Sequence, residues 1–294
     1  MSRTATPSAA GAAPRRRNPV LAWMLRDPRG ALSLLVVVII ALTGIFADQL
    51  APYSPIEQNF DLILMPPSAE NWLGTDDLGR DVFSRLIHGA SASMYASVLS
   101  VSIALVIGLP IGLLAGFAGG WVDEVVSRVI DALLSFPAIV LAIGVTGALG
   151  VGLTNGMISV GIVFSPLIAR LARARALVVK EELFVDAARC FGASPVRILA
   201  RHILPNAIQP ILVQVTLLLA GALLAEASLS FLGLGVQAPD ASWGSMLAKA
   251  YLYMEIAPEQ MVTPGLAILV TALAFNGLGD SVRMLLDPTT RSGR

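Results

Sequence analysis

Six apolar stretches, near 31–47, 92–118, 125–149, 156–172, 207–232 and 262–285, constrain this chain more than any other feature. At 1.5 Å of rise per helical residue, each is long enough, or nearly so, to cross about 30 Å of hydrocarbon. Backbone polar groups find no water there, so a segment of this length must satisfy them internally as a helix. The expected fold is an all-α polytopic membrane protein with six transmembrane helices. Composition agrees, since 55% of the 294 residues are hydrophobic and 14% charged, against about 25% charged in soluble domains. The first stretch is the shortest and needs residues from one flank to cross fully. Arg15, Arg16 and Arg17 make a cleaved signal peptide its rival reading. However, about 30 residues precede the run, and Ile45-Phe46-Ala47 lacks a small residue at the −3 position, so an uncleaved anchor is expected.

Lys and Arg set the expected orientation. Six lie before the first span, Arg128 follows the second, seven lie at or between spans four and five (Arg170, Arg173, Arg175, Lys180, Arg189, Arg197, Arg201), and Arg283, Arg291 and Arg294 close the chain. Seventeen basic residues thus fall on one side against three (Arg80, Arg85, Lys249) on the other, which places both termini in the cytoplasm. The chain divides into a cytoplasmic tail (1–30, expected to be disordered to about Pro19), a first transmembrane helix (31–47) and a periplasmic segment (48–90). A five-helix core (91–286) with a cytoplasmic loop at 173–205 and a second tail (287–294) follow.

Within the core, Gly108, Gly112, Gly116 and Gly120 recur every four residues and would let another helix backbone approach closely. Pro110, Pro137 and Pro166 lie inside spans two, three and four, where kinks would suit a moving bundle or merely tight packing. In the outer segment, Asp76, Asp77 and Asp81 depart from EF-hand spacing and read as a helix cap with an acidic outer surface, and Trp72 suits an interfacial position. Glu226 is the one carboxylate deep in a span. It either lines a passage or hydrogen-bonds a kinked neighbour such as the one at Pro137.

The 173–205 loop is the most informative segment. From Lys180 to Phe191 the residues favour helix, with Glu181 and Glu182 at the start, where acids complement the helix dipole. Gly192 suits a left-handed end, Ser194-Pro195 a new helix start, and Pro205 the end of that short helix. Val196, Leu199 and Ile203 share a face, with Arg197 and Arg201 beside it, and Ala187 and Ala188 permit close approach. Such a helix fits a groove of another protein; lying on the membrane surface is the alternative.

Catalytic and cofactor motifs are absent from the sequence. No Gly-x-x-x-x-Gly-Lys-[Ser/Thr] run cradles a nucleotide, no Gly-x-Ser-x-Gly marks a hydrolase, and His88, His202 and Cys190 form no metal-spaced cluster. Zero net charge gives no reason to expect a nucleic-acid partner.

Five sequence blocks then carry a resemblance. They are Gly74-Thr75-Asp76-Asp77-Leu78-Gly79-Arg80-Asp81; Asp186-Ala187-Ala188 with Gly192 and Leu204-Pro205; Leu229-Ser230-Phe231-Leu232-Gly233-Leu234-Gly235; Ser242-Trp243-Gly244; and Gly279-Asp280. Together they resemble the permeases of the dipeptide/oligopeptide (and nickel) class of ABC importers, whose "EAA" loop receives the ATPase. Asp186 stands where Glu is usual and His202 where the general pattern has Ile. The resemblance implies a type I permease fold and a coupling role for Asp186, Ala187, Ala188, Gly192, Val196, Leu199, Ile203, Leu204 and Pro205. It also implies ATP bound only on two partner ATPase subunits, a second homologous permease subunit and an extracytoplasmic solute-binding protein. The expected function is half of a peptide pathway across the inner membrane, and the chain itself is not an enzyme. Nickel, glutathione or another small solute are alternative substrates. An ion-coupled transporter acting alone, with Glu226 as its coupling charge, and an assembly subunit without transport are the other readings.

Overall fold

The computed structural model describes residues 27–286, so the disorder expected up to Pro19 and the 287–294 tail lie outside the described residues. Among the described residues eleven α-helices run in order: α1 (Pro28–Ile45), α2 (Ala47–Leu50), α3 (Val82–Ala118), α4 (Gly120–Ser135), α5 (Ala138–Leu149), α6 (Leu153–Val179), α7 (Leu183–Cys190), α8 (Pro195–Ile198), α9 (Leu204–Phe231), α10 (Trp243–Tyr251) and α11 (Glu259–Leu286). The described residues contain no named strand, only the isolated bridge between Thr75 and Asp81.

Among the described residues, four helices are long and apolar enough to cross a membrane: α1, α3, α11 and the continuous rod from Pro195 through α9. A fifth is added if α4 and α5 form one span, but they meet at 97°. The third apolar stretch is therefore two helices rather than the one kinked helix expected from sequence. The residue before a proline is pushed into extended geometry, and Phe136 has φ −83° and ψ 141° ahead of Pro137. The count of six also needs α6, which is long but carries Arg170, Arg173 and Arg175 toward its C-terminal end. It is enclosed by protein along much of its length.

The centre of the bundle is the pairing of α3 with α6, which run against each other over most of their lengths. Gly108, Gly112 and Gly116 make it possible, because a Cβ at any of them would collide with the carbonyl oxygen of Ser165, Ala169 or Arg173 on α6. The fourth glycine of the stripe does something else. Gly119 and Gly120 both have positive φ, at 66° and 56°, and turn the chain into α4, a conformation that disfavours side chains with a Cβ. α4 is then tied back to α6 by Arg173 on Asp123 (Nη2–Oδ2 2.7 Å) and Arg170 on Asp131 (2.7 Å).

α3 begins ten residues before the expected span and is 37 residues long, about 55 Å at helical rise, so it projects well beyond a bilayer. Asp81 caps its start by accepting from the Ser84 amide at 2.7 Å. The residues before it fold into an outer cap whose charge is internal. Arg80 and Arg85 are buried. Asp76 pairs with both, at 2.7 and 3.2 Å, and Asp77 with Arg80 at 3.2 Å. The expected acidic surface is thus partly neutralised by two buried guanidiniums. Arg85 also donates to the carbonyls of Pro55 (2.7 Å) and Pro239 (3.3 Å), joining the segment before α3 to the one before α10. Lys249 on α10 lies near this knot. Burial first, then the Arg80 charge, push its ammonium below the ordinary lysine range.

Candidate functional site

The 180–205 loop is a helix–turn–helix whose turn follows directly from its residues. α7 ends at Phe191, and Gly192 adopts φ 74°. The Gly192 amide donates to the Arg189 carbonyl (2.9 Å) and the Ala193 amide to that of Ala188 (3.0 Å). This pair of bonds is the Schellman closure, which satisfies carbonyls that a helix end would otherwise leave open. Ser194 then caps α8, its hydroxyl accepting from the Arg197 amide at 3.4 Å, with Pro195 at the first helical position.

Beyond α8 the structure departs from expectation. Pro205 does not end the short helix. Residues Leu199–Ile203 form one π turn, in which the Leu204 amide reaches the Leu199 carbonyl, and the helix continues as α9. A proline in a helix removes a donor and crowds the carbonyl four residues back. The wider turn just before Pro205 accommodates this, and the Asn206 side chain donates to the His202 carbonyl at 2.7 Å. The result is one 37-residue rod from Pro195 to Phe231.

The expected shared face of Val196, Leu199 and Ile203 is also corrected. Ile203 is fully buried, Leu199 is partly buried against the same cluster, and only Val196, 78% exposed, faces outward. A helix that must first attach to its own bundle spends its best apolar positions there. Val185, Ile198 and Ile203 enter one cluster with Val101 and Leu113 of α3, Ile168 and Ala176 of α6 and Ile211 of α9. Burying each such side chain contributes about 1.5–3 kcal/mol.

The outward surface is made instead by Leu183 (85% exposed), Phe191 (92% exposed) and Val196, with Phe184 less open beside His202, their rings 6.2 Å apart. Leu183 and Phe191 were missed from sequence, although Leu183, Ala187 and Phe191 at four-residue spacing form a second stripe on α7. The two alanines divide between the faces: Ala187 is exposed within that stripe, whereas Ala188 packs toward the buried cluster. Asp186 is exposed and meets Arg189 at 3.1 Å, a surface pair worth about 0–1 kcal/mol. Leu204 is half-buried, and Pro205 and Cys190 are exposed. Arrayed this way, the loop offers a stiff apolar platform whose underside is locked into the bundle. It presents no constellation suited to catalysis.

Glu226 lies near the far end of the rod, and its hydrogen bonds go to Ser230 and Ser242 rather than to a neighbour at Pro137. It is buried, and its Oε1 accepts from the Ser230 hydroxyl (2.9 Å) and the Ser242 hydroxyl (2.6 Å). Ser242 is the cap of α10, so the Glu226 carboxyl sits at the start of that helix. Its Oε2 lies against Gly244, where an added Cβ would be 2.6 Å away. Glu226 thus clasps α10 onto α9.

The helical bundle thus carries a structured, outward-apolar loop between two of its long helices. Residues 108–292 match the family of binding-protein-dependent transport system inner membrane components, and residues 21–67 match the N-terminal transmembrane domain of oligopeptide transport permease C. The chain belongs to this permease family. It is 46% identical over 264 residues to a glutathione transport system permease protein of Shigella flexneri, covering 90% of this chain and 87% of that one. It is 42% identical over 269 residues to a probable D,D-dipeptide transport system permease protein of Escherichia coli, covering 91% and 90%. A dipeptide transport system permease protein of Alkalihalophilus pseudofirmus is 42% identical over 261 residues, covering 89% and 86%. Among solved structures, inward-facing forms of the MetNI methionine ABC transporter share the fold, with TM-scores of 0.57 and 0.59 at 21% identity. They cover 69% and 70% of this chain and 96% and 97% of theirs. The chain is therefore a permease subunit of an ABC importer with an all-α, type I fold, which removes the readings as a lone ion-coupled transporter or an assembly subunit.

Proposed function

We infer that this subunit forms half of an ATP-driven import pathway for short peptides, with glutathione and dipeptides as the substrate class. Three relatives named for glutathione or dipeptide transport support that class. A second homologous permease completes the pathway, two ATPase subunits bind the ATP, and a solute-binding protein delivers substrate to the outer cap. Both termini and the 173–205 loop face the cytoplasm of the inner-membrane orientation that the basic-residue split favours.

One observation carries the mechanism: the platform of Leu183, Phe191 and Val196 stands on an underside plugged into the bundle. An ATPase gripping this platform moves α8, and α8 is one end of the Pro195–Phe231 rod. The rod's other end holds Glu226 and, through Ser242, the start of α10. α10 in turn meets α3 where the Trp243 indole N–H donates to the Leu86 carbonyl at 2.9 Å. A displacement at the cytoplasmic loop therefore reaches the outer cap through rigid parts, a two-state element that partners bias. Glu226 acts here as the clasp between rod and cap rather than as a lining residue. Gly192 is the joint that sets the angle between α7 and the rod.

Proteoliposomes holding both permeases, the ATPases and the binding protein test this reading. Wild-type protein should take up glutathione or a dipeptide when ATP is enclosed on the ATPase side. Gly192→Pro, whose fixed φ is incompatible with 74°, should insert and assemble yet lose uptake while ATP hydrolysis continues. Normal uptake by that variant at normal expression would remove the joint from the mechanism.

A further inference from the structure

The least explained surface of the molecule is an apolar groove beside α1. In its middle α1 packs Val37 and Ile40 against the apolar cluster that holds Ile268 and Phe275 of α11, and it makes three closer contacts near its two ends. At its inner end, Gly30 lies against Ser281 and Ser33 against Gly277, both on α11; at its outer end, Gly44 lies against the backbone at Ala90 and Ser91 of α3. Each contact uses a glycine, so the helices meet closely at those points. From Ile40 toward the outer end, an apolar wedge lies between α1 and the outer half of α11. Its walls include Ile40 and Thr43 of α1, Phe83 of α3, and Leu266 and Val270 of α11, with Trp243 among the residues that line it. Its volume is about 660 Å³.

The occupant follows from the surroundings. Two helices able to span the membrane form the sides of the wedge, so it opens into hydrocarbon. An empty space of this size leaves its walls without dispersion partners. Water is held only by a site with two to four polar partners, whereas these walls are almost wholly apolar. Trp72 stands at the outer rim, 62% exposed and 5.1 Å from the Phe83 ring, the headgroup-level position that tryptophan favours. We propose that this wedge is a lipid site, occupied by an acyl chain of a phospholipid whose headgroup lies at the level of Trp72. The chain bridges α1 to the transport core at the seam between the two family units, residues 21–67 and 108–292.

Trp243 provides the probe. It is 3% exposed, and its indole N–H is fixed on the Leu86 carbonyl, so a membrane-borne contact quencher reaches it only by entering the wedge. The full chain with Trp23→Phe, Trp72→Phe and Trp121→Phe retains Trp243 as its one tryptophan. It is reconstituted in phosphatidylcholine vesicles with or without brominated acyl chains. Trp243 emission should fall substantially in the brominated vesicles. Filling the wedge with Ala267→Phe, or with Val270→Phe should the first variant fail to reconstitute, should restore it. Unquenched Trp243 in vesicles where the single-Trp72 chain is quenched would overturn the proposal. Quenching that the wedge-filling variants leave unchanged would overturn it equally. Protection of Trp243 together with a chain that runs as a dimer would assign the wedge to a second copy instead.

Discussion

In the outer cap the buried side chains include two guanidiniums, Arg80 and Arg85, whose partners are carboxylates and carbonyls of the same chain. In the 180–205 loop the buried residues are Val185, Ile198 and Ile203, while Leu183, Phe191 and Val196 are left in the open. The cap thus satisfies its charges within the chain, whereas the loop leaves large apolar side chains uncovered by it. Ionic and backbone links hold several irregular segments in one arrangement, which suits a surface that must keep its shape while a carrier docks. An apolar underside fixes one platform firmly and leaves its upper face exposed; on the proposed reading the ATPase buries that face, where a few large side chains would supply most of the binding energy.

This contrast is broken most severely at Arg85. Removing one member of a buried charge network strands the others, at a cost of about 3–5 kcal/mol. Arg85→Ala should therefore lower the midpoint of thermal unfolding in detergent more than any change in the loop. An unchanged midpoint would mean that the cap is not held by its charges. Next comes the underside of the loop: Ile203→Ala empties a buried site and should destabilise by about 2–5 kcal/mol, read by the same measurement. The upper face should behave differently, because Phe191→Ser removes no intramolecular burial. Its stability should stay within about 0.5 kcal/mol of wild type, while ATPase retention falls. The smallest effects belong to Arg197→Ala and Arg201→Ala, exposed residues beside the platform. Rim charges alter association rate and salt dependence more than affinity, so retention should weaken only at raised salt.

The same contrast separates what was legible in the sequence from what was not. The end of α7 and the start of α8 were readable because Gly192, Ser194 and Pro195 act on their own backbone neighbours. The three close-approach glycines of α3 were readable because a repeat of four on a helix has one geometric consequence. Which of Val196, Leu199 and Ile203 faces outward depends on where α3 and α6 lie, and their sequence spacing carries no such information. Pro205 misled for a related reason: its local cost is real, but a single π turn absorbs it. Arg173 finds Asp123 fifty residues away, and Glu226 finds Ser242 sixteen residues away, through contacts that only the packed bundle creates. The Asp76–Arg80–Arg85 knot combines both cases, since Asp76, Asp77 and Asp81 read from sequence as a helix cap, but nothing local showed that the guanidiniums would be buried.

The central claim is that the exposed upper face of α7 and α8 is where the ATPase binds. Purification of the assembled complex in mild detergent, comparing wild type with Leu183→Asp/Phe191→Asp, tests it most directly. Both substitutions fall on exposed positions, so the permease should insert, pair with its partner permease and unfold as wild type does. The account predicts that the ATPase subunits are lost from the doubly substituted complex. ATPase recovered at wild-type yield with that variant would contradict it.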